Sequence, residues 1–160
     1  MIERYMKLRA YVNAVIYASA EHRTKSKRYL LEQEEIQIAE NMLFVLHPFK
    51  VITNMLSHSK LTSSRILPCL VFLKRKLQPE ENDKDELKNM KSFMLACLNY
   101  YIDSYKMFDN VILITATFLD PELKNFELFD EYTDKSSADF VSIATEYLVK
   151  KHDCFKQRVK

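Results

Sequence analysis

Not one of the 160 residues is glycine. At the usual share of ~7% a chain of this length carries roughly eleven. Glycine is the residue that turns the backbone through positive φ at no steric cost, so tight two-residue hairpins become hard to build without it. Phosphate-cradling loops of the Walker or dinucleotide-binding type are excluded outright, because their glycines are missing. No cofactor is therefore expected. Helices need no glycine in their interiors, and the chain reads as all-α: one irregular domain of about six helices over residues 1–160.

Composition agrees. A hydrophobic content of 48% with 29% charged residues is globular, not disordered. Net charge is only +2, so no global field draws the chain toward nucleic acid or a membrane. Cys69, Cys97 and Cys154 are odd in number and widely spaced on apolar helical phases, which reads as reduced core thiols in an intracellular protein. No C-x-x-C occurs. His22, His47, His58 and His152 show no ligand spacing with the cysteines, so no zinc site is expected. Charges at Glu3, Arg4, Lys7 and Arg9 break up the N-terminus, which does not read as a secretory signal, and no apolar run reaches the ~18 residues of a membrane span.

Helical spacing runs through the chain. Ile2, Tyr5, Met6, Val12 and Ile16 share a face. From Gln33 to about His58 two stripes appear, one with Ile36, Ala39 and Leu43, the other with Met42, Val45 and Ile52. That pattern predicts a central helix, kinked at Pro48. Thr62, Ser63 or Ser64 can cap the next helix, which holds Leu67, Leu70, Leu73 and an internal Pro68. Asp83 with Glu86 resembles a capping box ahead of a helix whose apolar face holds Leu87, Met94, Cys97 and Tyr101. Tyr100 and Tyr101 are adjacent, so one of the two should be exposed. Ser136 or Ser137 opens the last helix. Between these lies "ILITATFLDPELKNFELF", where Pro121 predicts a helix end near Leu119. Asp120 then caps a new helix with Pro121 at its first position, and Phe118 and Leu119 are expected to be buried at that corner.

Three blocks, in order, resemble the hAT-superfamily transposases and the BED-zinc-finger proteins derived from them. "LHPFKVITNMLS" matches that family's pattern at Leu46, Pro48, Phe49, Thr53, Leu56 and Ser57. "SSRILPCLVFLKRKL" resembles its serine-rich step into an Ile/Leu-Pro helix, with Pro68 as the proline. Ala116, Thr117, Leu119, Asp120, Pro121 and Lys124 match an Ala-Thr-x-Leu-Asp-Pro block, with Glu122 and Leu123 in place of its Arg and Phe. The similarity spans roughly Leu8 to Tyr147. It implies the helical insertion region of an RNase H-like transposase, and with it a nuclear protein; without the resemblance, the cytoplasm is the other expectation.

The departures set the functional expectation. The family cleaves DNA with two aspartates and a glutamate around divalent metal. Those aspartates precede this region, and the Phe-Ser pair that often closes the glutamate block is absent after Asp120. No BED finger ligands are present, and neither is the tryptophan some members use. The chain is expected to be no enzyme, with no catalytic or metal residues and no small-molecule substrate. It reads as a degenerate copy or a module for a protein partner or self-association, with no membrane partner. The alternative is an accessory DNA contact through Arg23, Lys25, Lys27 and Arg28, and through Lys74, Arg75 and Lys76. The reversed charge at Glu122 argues against a basic contact at that block.

Overall fold

The computed structural model describes residues 2–18, 31–57, 63–123 and 126–158. Among them every regular element is helical, with no strand. The α-helices are α1 (Ile2–Ala18), α2 (Gln33–Leu56), α3 (Ile66–Lys76), α4 (Asp85–Ser104), α5 (Val111–Phe118) and α6 (Ser137–Arg158). Short 3-10 turns occupy Ser63–Arg65, Met107–Asp109 and Glu127–Phe129. None of these helices is long and apolar enough to cross a membrane.

The backbone gathers into two compact units, Met1–His47 and Pro48–Lys160, so the division falls at the proline inside α2. Helical geometry nevertheless continues through Pro48. In the first unit α1 buries none of its residues, while Ile36, Ala39, Asn41 and Val45 of α2 are buried. Both apolar stripes of α2 contribute buried residues, Ile36 and Ala39 from one and Val45 and Ile52 from the other. Leu46, Met55 and Leu56 are exposed, because apolar spacing records which faces could be covered and not which ones are.

The second unit is organised around α5. Its sequence is apolar on every side, which marks a helix meant to be enclosed. Leu113 and Ile114 of α5 join Leu67 and Val71 of α3, Phe140 and Ala144 of α6, and Phe126 and Phe129 of the loop between. The three buried rings interlock. Phe126 stacks on Phe140 at 5.1 Å, and Phe129 stands tilted against both at 5.2 and 5.4 Å. A smaller cluster of Ile52, Cys69 and Leu73 is flanked by Phe49 and Leu98.

Local signals explain the ends. Asn110 caps α5, its side-chain oxygen accepting from the backbone N–H of Ile112 and Leu113 at 3.1 and 3.3 Å. Ser136 and Asp139 form a reciprocal box before α6, each side chain taking the other's N–H. Two turns are made by non-glycine residues in the left-handed region, Lys106 at φ 47° and Phe126 at φ 55°. This is where the missing glycine is felt.

Several boundary expectations are corrected. Asp83 does not cap α4: Lys84 holds the cap position without a side-chain bond, and Asp83 turns back to accept from Glu80 N–H at 2.8 Å. No helix starts at Pro121, where residues 121–123 form only a turn. Leu119 is 62% exposed, not buried, because the corner closes on polar atoms instead. The buried edge of α4 is Lys91 and Ile102, and both Tyr100 and Tyr101 are exposed. Cys69 is buried as expected and Cys97 partly so, but Cys154 is exposed near the end of α6.

Candidate functional site

Two of the sequence blocks meet at one corner. The turn Ser63–Arg65 leads into α3, and Thr117 to Glu122 lead out of α5. Ser64, one of the three candidate caps for α3, is almost wholly buried and does not cap that helix, whose cap position is Arg65 without a side-chain bond. The Ser64 hydroxyl donates to Asp120 Oδ2 at 2.9 Å. Oδ1 of the same carboxylate accepts from the backbone N–H of Glu122 at 3.1 Å, holding the turn at Pro121. Thr117 is fully buried, and its single hydroxyl proton is shared between Ser64 O at 3.0 Å and Leu113 O at 2.9 Å. Outside this pair, Arg65 Nη2 meets Glu122 Oε2 at 2.7 Å on the surface. The glutamate that departs from the family pattern thus has a local counter-charge from the other block.

The hydroxyls of Ser64 and Thr117 are buried, and a buried polar group left unsatisfied costs about 1–3 kcal/mol, whereas the Glu122 N–H and the Arg65–Glu122 pair are exposed. Both oxygens of Asp120 are engaged by the chain itself.

The remaining block residues are more scattered. Phe49 packs against the smaller core cluster, and Pro48 and Pro68 are half-buried. Leu46, Thr53, Leu56, Ser57 and Pro121 are exposed, with Ser57 Oγ donating to Thr53 O at 2.6 Å. Lys124, like Arg23, Lys25, Lys27 and Arg28, lies outside the described residues.

The basic run 74–76 divides. Lys74 turns inward: its ammonium donates to Tyr132 O at 2.6 Å and lies 5.8 Å from the centre of the Phe108 ring. Arg75 and Lys76 are exposed, Lys76 with its ammonium 5.8 Å from the Phe72 ring centre. Beside Lys74 is a cleft of about 150 Å³ lined by Lys106, Lys135, Asp103 and Asp134 among others. Lys135 there donates to Phe108 O at 3.2 Å and pairs with Asp109. The cleft is smaller than the ~300 Å³ at which small-molecule pockets begin.

One pair escaped the sequence reading. Lys91 is 2% exposed and lies 2.6 Å from Asp83, with Glu80 at 3.9 Å. The lysine and the backbone N–H of Glu80 hold the Asp83 carboxyl below the usual carboxylate range. A lone lysine in the covered phase of α4, eight residues after an acidic loop, was the available signal. Among the described residues no three His, Cys, Asp or Glu side chains gather into a metal-holding group. Comparison of the chain with family models, curated proteins and solved structures finds no match.

Proposed function

We propose that this chain is a transposase-derived helical module without catalysis, whose family-like blocks serve the fold and whose surface serves interaction. One observation carries the reading: the carboxylate of Asp120, the acid of the Leu-Asp-Pro block, is engaged on both oxygens by Ser64 and Glu122. Each oxygen holds a different part of the corner, Oδ2 the buried Ser64 hydroxyl and Oδ1 the turn at Pro121, which is the work of a structural acid. The basic run offers less to DNA than its sequence promises, since Lys74 is committed to Tyr132.

The test is an assay of the purified chain on duplex DNA with Mg²⁺ or Mn²⁺. No nicking is expected, and Asp120→Asn should lower the urea midpoint. Metal-dependent cleavage that disappears in Asp120→Asn would overturn the proposal. Strongly salt-dependent duplex binding, weakened by Arg75→Gln and Lys76→Gln, would favour the accessory DNA reading instead.

A further inference from the structure

Helix α4 is twenty residues long and buries only Lys91 and Ile102. From Ser92 to Ile102 it carries no charge at all. A surface helix of a monomer ordinarily turns charged residues outward; α4 turns aromatic ones. Phe93 and Tyr100 are each 68% exposed, Tyr101 58% and Tyr105 72%. Tyr101 and Tyr105 already stack, with ring planes 14° apart. Rings of about 200 Å² exposed to this degree present roughly 400 Å² of aromatic surface at Phe93, Tyr100 and Tyr101, with Tyr105 just past the helix end. Asn89 and Ala96, exposed on the same side as Phe93 and Tyr100, extend that face toward the ~800 Å² per partner of a specific interface.

We propose that α4 pairs antiparallel with α4 of a second copy of this chain, about a two-fold axis near Ala96 and Cys97. The inference deepens the reading as an interaction module and rests on it. Met90, Phe93, Cys97 and Tyr100 recur at steps of three, four and three, the spacing of a two-helix seam, with Phe93 and Tyr100 exposed and Met90 and Cys97 half-buried beside them. Ala96 at the midpoint is small, so two axes can approach to the ~8 Å of close packing. Pairing about that point sets Phe93 of one copy opposite Tyr100 of the other. Charge selects the direction. A parallel pair would put Glu86 against Glu86 and Asp103 against Asp103. An antiparallel pair lays the acidic first turn, Asp85 and Glu86, beside the exposed Lys106 that follows the other copy's helix. The contact is self-complementary, as a two-fold interface must be.

Sedimentation equilibrium of the full chain across a dilution series tests it. A species of twice the chain mass should dissociate on dilution, and Phe93→Glu or Tyr100→Glu should weaken it at least about thirtyfold. Both side chains are exposed in the single chain, so helical circular dichroism should not change. Glu86→Lys should also weaken pairing, and Lys106→Glu added to it should restore it. A monomer at every concentration overturns the proposal, as does a dimer indifferent to Phe93→Glu and Tyr100→Glu. Failure of the charge swap to rescue overturns the antiparallel arrangement. A monomer that still does not nick DNA defeats the α4 pairing alone, whereas nicking lost in Asp120→Asn defeats the broader reading whatever the mass.

Discussion

At Asp120 one side chain ties two distant segments, and the energetics of the corner follow from what it touches. Asp120→Ala removes the acceptor of the buried Ser64 hydroxyl and releases the Glu122 N–H, at roughly 1–2 kcal/mol once partial exposure is allowed for. Thr117→Val keeps the shape but removes a donor to two carbonyls, about 1 kcal/mol. Leu119→Ala should fall within about 0.5 kcal/mol, because that side chain is already in solvent. Urea unfolding of the three variants gives the ranking, which inverts the one the sequence predicts for Asp120 and Leu119. The thiols should separate in the same way. Burial pushes the Cys69 thiol up, against a smaller opposing pull from Arg65, so Cys69 should resist a thiol reagent until the chain unfolds while exposed Cys154 reacts at once.

The ends of elements hold the pH response. Asp139 at the head of α6 is held below its usual range first by the Ser136 hydroxyl and then by the Ser136 N–H, much as Asp83 is by Lys91 and Glu80. A carboxyl depressed in the folded state contributes its full stabilisation above its unfolded pKa of about 3.9 and loses it as pH falls through the lower folded value. The urea midpoint should therefore be insensitive to these two groups between neutrality and pH ~5 and fall in stronger acid. Asp83→Asn and Asp139→Asn should each flatten that fall. Ser136→Ala should cost about 1 kcal/mol through the lost cap. What could be read here without coordinates was local. The start of α6 at Ser136 and the end of α5 beside Leu119 are both written in two or three neighbouring residues. What could not be read depends on residues far apart in the chain. Ser64 gives up capping for a carboxylate 56 positions away, and Asp83 leaves its box for a lysine inside α4. The family-like blocks marked where the corner lies but not which of its atoms hold it.

Across the second unit the aromatic cluster of Phe126, Phe129 and Phe140 carries the packing, and Phe140→Ala should cost about 3–5 kcal/mol in the same unfolding assay. That cluster also fixes the fate of the two left-handed turns. At Lys106, which is exposed, glycine would relieve a backbone penalty of roughly 1–2 kcal/mol, so Lys106→Gly should raise the melting temperature of the chain at dilutions where it is monomeric. At Phe126 the backbone is as unfavourable, yet Phe126→Gly should lower it sharply, since the ring is 1% exposed. The same substitution at the same backbone geometry therefore runs in opposite directions. For anyone stabilising this protein, one left-handed turn is an open improvement. The other is closed, because the ring that strains the chain is the one its neighbours are packed around.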